Sequence, residues 1–79
     1  MELYAGIDLH SNNNFIQIID GKDKTRFSKR LPNQIEHILT ALAPFKNQLK
    51  AVAVESTFNW YWLVDGLVDN GDKGKLANP

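Results

Sequence analysis

The sequence has 79 residues, of which 43% are hydrophobic, and its nine basic and nine acidic side chains cancel. This length allows one small domain or part of one, so we treat residues 1–79 as a single unit. The lack of cysteine excludes a disulfide framework and a thiolate metal site. Zero net charge means that any contact with nucleic acid must depend on a local patch.

The hydrophobic pattern predicts three antiparallel strands at the start of the chain. The first strand is apolar on both faces until Asp8, which is typical of a central strand. Asp20-Gly21 is a strong hairpin signal, and the strand after it alternates in polarity as an edge strand does. The predicted strands cover residues 3–9, 15–19 and 24–31, with a polar turn at residues 10–14.

After these strands the apolar residues recur with the period of a helix. Asn33 and Glu36 form a capping-box-like pair, which predicts a helix that begins at Asn33 and ends near Pro44. A fourth strand is predicted at residues 50–55 and a short fifth strand at residues 75–78.

A second helix is predicted between the fourth and fifth strands. Ser56 or Thr57 would cap its beginning, and Gly71 would follow its end near residue 70. The residues predicted to share its core face are Trp60, Leu63, Val64 and Leu67.

The element order is βββαβαβ, which is the layout of the ribonuclease-H-like fold in the α/β class. In that layout the first strand pairs in parallel with the fourth through a helical crossover. We therefore expect a mixed sheet with the strand order 3-2-1-4-5 and an incomplete version of the fold.

Two of the predicted strands finish on a carboxylate, Asp8 in the first and Glu55 in the fourth. The carboxyl ends of parallel neighbours meet at one edge of a sheet, where the sites of α/β proteins form. Two adjacent carboxylates repel each other unless a cation lies between them, and hard oxygen ligands suit Mg²⁺ or Mn²⁺. Phosphoryl transfer by two metal ions requires more ligands than these two, so Asp8 and Glu55 would supply only part of such a site.

Three motifs in the chain carry a resemblance to a known family. They are Tyr4-Ala5-Gly6-Ile7-Asp8-Leu9-His10, Val54-Glu55-Ser56-Thr57-Phe58-Asn59-Trp60-Tyr61-Trp62-Leu63 and Leu76-Ala77-Asn78-Pro79. Together they resemble the N-terminal domain of DEDD transposases, which belong to the one-ten family of bacterial insertion sequences and are related to the Piv/MooV invertases. The catalytic domain of that family is similar to RuvC Holliday-junction resolvases.

The resemblance implies that Asp8 and Glu55 are catalytic metal ligands for Mg²⁺ or Mn²⁺ in an enzyme that cuts and joins DNA. The other two carboxylates of the family lie downstream of its Asn-Pro motif, and Asp65, Asp69 and Asp72 do not match them. We therefore expect a truncated chain that binds metal weakly and is inactive alone. DNA, and a guide RNA, would be partners of the full-length protein.

We also expect a cytoplasmic location, because the N-terminus has no signal-peptide pattern and no apolar run reaches the ~18 residues of a membrane span. The resemblance implies that the source is bacterial. Two other functions stay open. The chain could be a non-catalytic interaction module that forms a homodimer. It could also be part of an actin-like sugar kinase, although the turn after Asp8 lacks the glycine that such a phosphate site uses.

Several residues have a structural interpretation beside a functional one. His10 and Ser11 are predicted to serve the turn, and Trp60 is predicted to lie in the core. The basic residues of the hairpin and third strand would either hold phosphates or form a solvated edge. They are Lys22, Lys24, Arg26, Lys29 and Arg30.

Overall fold

A computed structural model describes residues 1–56 and 60–71 in full and the backbone of residues 76–77. The elements follow the predicted order. The strands are β1 (Leu3–Leu9), β2 (Asn13–Asp20), β3 (Thr25–Pro32), β4 (Leu49–Ser56) and β5 (Leu76–Ala77). The helices are α1 (Ile35–Leu42), a 3-10 turn (Ala43–Phe45) that contains Pro44, and α2 (Tyr61–Asp69).

The strands form one mixed sheet in the order β3-β2-β1-β4-β5, which confirms the predicted strand order. β1 is central: it pairs antiparallel with β2 on one side and parallel with β4 on the other. β5 adds two residues in parallel beyond β4. The fold class predicted from the element order is therefore confirmed.

Both helices pack on the same face of the sheet. Alternate residues of β1 are buried in one core with Ile38 and Leu42 of α1 and with Leu63 and Leu67 of α2. The buried residues of β1 are Leu3, Ala5, Ile7 and Leu9. We call this side of the sheet the covered face and the other side the open face. Neither described helix is long or apolar enough to cross a membrane.

The predicted cap of α1 is wrong. Gln34 occupies the N-cap position, and no side chain caps the helix there. Asn33 instead joins two loops: its Nδ2 donates to the carbonyl of His10, and its Oδ1 accepts from Nδ2 of Asn14. Asn14 is completely buried, so the hydrogen bond to its amide outweighs a cap that water could replace.

The predicted start of α2 is also wrong. Ser56 ends β4, Thr57 lies outside the described residues, and Trp60 takes the N-cap position. Trp60 is 39% exposed and stacks on Tyr61, so it does not share the core face with Leu63 and Leu67 as predicted. The backbone dihedral angles of Trp60 (φ −114°, ψ 2°) are not helical, so the helix begins at Tyr61. Trp62 packs against the core instead.

The two helices approach each other at Gly66. A Cβ atom on Gly66 would overlap Cγ1 and Cδ1 of Ile35, which is half-buried on α1. The absence of a side chain at Gly66 therefore sets how closely α2 packs against α1.

We predict that Gly66→Ala lowers the free energy of unfolding by about 1 kcal/mol, because an overpacking cost of ~1–3 kcal/mol exceeds the ~1 kcal/mol that Ala gains in a helix. In an Ile35→Ala background the overlap is gone, and the same substitution should stabilise the protein. Urea denaturation of the four variants of this cycle gives both values. A stabilising Gly66→Ala change with Ile35 present would contradict the close packing.

Asp20 organises the hairpin between β2 and β3. Its carboxylate accepts hydrogen bonds from the backbone N–H groups of Lys22 (2.8 Å) and Lys24 (3.1 Å) and from Nε of Arg26 (3.0 Å). The two backbone hydrogen bonds, with the Arg26 guanidinium, hold the pKa of Asp20 below its ordinary value. Arg26 lies where the β2–β3 register shifts, so this ion pair stabilises a bulge.

A carboxylate with a lowered pKa in the folded state stabilises the protein above its unfolded-state pKa, about 3.9, and this contribution is lost as the pH falls through the folded-state pKa. We therefore predict that Asp20→Asn destabilises the protein at pH 7 and that the difference from wild type narrows below about pH 4. Asp23→Asn is the matched control. It removes an exposed carboxylate next to the same turn, at a positive φ (63°) that Asn tolerates. Denaturation curves at several pH values test this, and a gap that stays constant with pH would contradict it.

Candidate active site

Asp8 and Glu55 are direct neighbours across the β1–β4 pair. The parallel register pairs Asp8 with Glu55, one step beyond Ile7 and Val54. Ile7 and Val54 are buried on the covered face, so the side chains that follow them lie on the open face. Both carboxylate residues are exposed, and the Asp8 side chain is 57% exposed. The topology thus brings together the two residues predicted as the site.

The same line across the sheet continues through β2 and β3. Asp8 pairs with Phe15, and Phe15 pairs with Arg30. We call these four residues, Glu55, Asp8, Phe15 and Arg30, the cross-strand row. It runs from two carboxylates at β4 and β1 to a guanidinium at β3. The sequence pattern did not link Phe15 and Arg30 to the carboxylates, because their alignment depends on the registers of two strand pairs.

A trough adjoins the row on the open face. Small residues in the two central strands, Gly6 and Ala53, form its floor, and its volume is about 520 Å³. A Cβ atom added to Gly6 would meet no atom within 4 Å, so the space above β1 is open. The lining residues are Gly6, Ile7, Asp8, Phe15, Gln17, Ala53, Val54 and Glu55.

His10 lies next to the Asp8 carboxylate, with 3.3 Å between Nε2 and Oδ2. The loop that carries it is held on both sides. Its backbone N–H donates to the carbonyl of Asn13 (2.9 Å), and its carbonyl accepts from Nδ2 of Asn33 (2.6 Å). The sequence interpretation favoured a role in the turn over a role in catalysis for His10, and it missed the contact of His10 with Asp8. The signal was its position two residues after Asp8, which puts both side chains on one side of an extended chain.

The donor set fits one hard divalent cation better than two. Mg²⁺ is commonly held by one or two carboxylates together with water molecules and substrate phosphates, and Asp8 and Glu55 supply that number. In the described part of the chain, no group of three or more His, Cys, Asp or Glu side chains is arranged to hold a metal ion. Asp65 and Asp69 belong to α2, which packs on the covered face, and Asp72 lies outside the described residues.

The architecture has a counterpart among solved structures. The chain is similar to T. thermophilus RuvC, solved in complex with a Holliday junction substrate, with a TM-score of 0.68 and 13% sequence identity. The fold is RuvC-like. The alignment covers all of this chain and 66% of the RuvC chain, so this chain spans about two thirds of that protein's length. Neither the protein-family models nor the curated proteins compared with the chain contain a match.

At 13% identity the likeness to RuvC shows the fold alone. It confirms the ribonuclease-H-like architecture that the order βββαβαβ predicts. The roles of Asp8 and Glu55 stay predictions. The sheet shows that the two residues are neighbours on paired strands.

We predict that Gly6→Ala raises the free energy of unfolding by about 0.5–1 kcal/mol, because Gly costs that much in a strand interior and the new Cβ meets nothing. The same change at Gly66 should have the opposite sign, which makes the two variants a matched pair for urea denaturation. If Gly6→Ala were destabilising, the space above β1 would be filled by protein, and the trough would not be open to a ligand.

Proposed function

We propose that this chain forms the metal-binding half of the catalytic centre of an enzyme that cleaves and joins DNA, a DEDD transposase of the insertion-sequence type. The observation that carries the proposal is the direct pairing of Asp8 with Glu55 at the carboxyl ends of two parallel central strands. Sites of α/β sheets form at such ends. The substrate class is supported by the fold, since the similar RuvC structure holds a Holliday junction.

The electrostatics of the pair favour a cation with a phosphate substrate. Two carboxylates at neighbouring register positions repel each other and would also repel a DNA phosphate. A bound Mg²⁺ or Mn²⁺ ion would offset both repulsions and polarise a phosphoryl oxygen. Asp8 and Glu55 would hold that ion, and their exposure leaves room for a phosphate beside it.

The other residues of the site have supporting roles in this proposal. His10 would orient the Asp8 carboxylate through its Nε2, and the floor of the trough at Gly6 would let a nucleotide backbone come close to β1. The resemblance to transposases implies two further Asp ligands downstream and a guide RNA. We therefore propose that this chain supplies part of the ligand set and does not cleave DNA alone.

The test is a titration of Mn²⁺ into the protein, followed by NMR line broadening of backbone amides. We predict broadening centred on residues 8–10 and 55–56, because Mn²⁺ would sit between the carboxylates. Asp8→Asn/Glu55→Gln should abolish this broadening and weaken binding by about tenfold or more, since loss of even an outer-shell partner costs ~10–100-fold. Both substitutions keep the shape of the side chain.

Asp65→Asn/Asp69→Asn is the matched control, because it removes the same charge from exposed positions on α2. It should leave the broadening near Asp8 unchanged. Equal broadening in wild type and in the Asp8→Asn/Glu55→Gln variant would remove the metal site from the proposal.

One observation favours the alternative of a non-catalytic module that forms a homodimer. Apolar side chains of Tyr4, Phe15 and Ile19 are only half-buried on the open face. In that case light scattering should detect a dimer across a range of concentrations, and the carboxylate variants should not change the response to Mn²⁺. A monomer throughout that range would count against the module.

A further inference from the structure

We propose that Arg30 binds a backbone phosphate of the DNA strand that lies across the open face, about one or two nucleotides from the phosphate at Asp8 and Glu55. This inference deepens the proposed function and rests on it. It assigns a binding role to the basic end of the cross-strand row, which the carboxylate site does not include.

The spacing of the row fits one continuous strand of DNA. Asp8 and Arg30 are separated by two strand-to-strand steps, through Phe15. Adjacent strands lie ~4.8 Å apart, so roughly 10 Å separates the two positions along the row. A B-form strand has one phosphate for each ~3.4 Å along its axis, but the strand winds around that axis, so phosphates roughly 10 Å apart on one strand are about one or two nucleotides apart.

Arg30 is held in place by neutral partners. Its Cζ lies 5.7 Å from the centroid of the Phe15 ring, and its Nη1 donates to Oδ1 of Asn13 (2.8 Å). A guanidinium has five N–H donors, so these contacts orient the group and leave donors for a phosphate. No described carboxylate forms an ion pair with Arg30, whereas the charge of Arg26 is neutralised by Asp20.

The other basic residues of the hairpin and of β3 lie on the covered face or at the opposite end of the sheet. Lys29 pairs with Ile16, whose side chain is buried on the covered face, so Lys29 lies on that face too. Lys22 and Lys24 lie at the β2–β3 turn, at the opposite end of the sheet from Asp8. Arg30 alone among these five basic residues shares a face and an end of the sheet with the two carboxylates.

The Arg30 end of the row is complementary in charge to a polyanion, and the carboxylate end becomes so only with a bound cation. The half-buried Phe15 ring lies between Asp8 and Arg30, and the trough beside it gives a path for a sugar-phosphate chain. With the carboxylates screened by a cation, a phosphate would be attracted at both ends of the row. Without a cation only the Arg30 end attracts it, which allows the two contributions to be separated.

The experiment is fluorescence anisotropy with a labelled short DNA duplex and the 79-residue protein, measured in EDTA at several salt concentrations. We predict that Arg30→Gln weakens binding about fivefold, the upper end for one exposed ion pair. It should also lower the slope of log K against log salt by about 0.9, the value for one lost phosphate contact. Lys29→Gln removes a charge from the neighbouring residue on the covered face and should change neither quantity.

The conservative variant separates phosphate binding from a structural role. Arg30→Lys keeps one point charge, so it should restore most of the salt slope but not the full affinity, because it lacks the planar group that stacks on Phe15. A role in folding alone would instead appear as a lower Tm with an unchanged salt slope. If Arg30→Gln lowers the Tm, Arg30→Met is measured in place of Arg30→Gln, because Met removes the charge and keeps an unbranched side chain over the Phe15 ring.

The outcomes also distinguish this inference from the proposed function. Equal losses in Arg30→Gln and Lys29→Gln, no loss in either, or no DNA binding by the wild type in EDTA would each overturn the role of Arg30. Because EDTA removes divalent ions, none of these results depends on the metal site. A normal Arg30 effect in a protein whose carboxylates bind no Mn²⁺ would keep the phosphate contact and overturn the metal-dependent function.

Discussion

The parallel pairing of β1 with β4 is the constraint on which the rest of this molecule depends. It joins the first strand of the antiparallel meander to the crossover that contains α1, and it makes β1 the centre of the sheet. The register of this pair also decides which side chains meet. With Ile7 beside Val54 in the core, Asp8 and Glu55 must be neighbours on the other face, and a shift by one residue would bury a carboxylate.

The two faces of the sheet differ in the side chains they hold. The covered face holds the large aliphatic residues of β1, β2 and β4 with the buried stripes of both helices, and Gly66 lets those helices approach closely. The open face has small residues at its centre, carboxylates at one end of the row and a guanidinium at the other. Groups on paired strands keep their spacing better than groups on loops, which would suit the binding of DNA that we propose.

The sequence predicted the architecture well because each element has a clear hydrophobic period, and it predicted the Asp8–Glu55 pair because topology alone brings strand ends together. The predictions were wrong where one side chain could form either of two interactions. Asn33 could cap a helix or accept a hydrogen bond from Nδ2 of the buried Asn14, and only tertiary packing decides between them. The aromatic run at residues 60–62 could enter α2 in different phases. The sequence predicted Trp60 in the core, whereas Trp62 packs against it. The alignment of Phe15 and Arg30 with Asp8 depends on turn length and on the bulge at Arg26, which periodicity does not encode.

The central position of β1 has a consequence for how the chain reaches its native state. The meander of β1, β2 and β3 needs only local hairpins, whereas β4 can join β1 only after the longer loop through α1 has closed. Until that moment β1 is an edge strand with a row of unpaired N–H and C=O groups, and such an edge invites pairing with other chains. The residue before its last position is the charged Asp8, and a charge on an exposed edge opposes that pairing. The carboxylate that we propose as a metal ligand would thus also protect the partly folded sheet from aggregation.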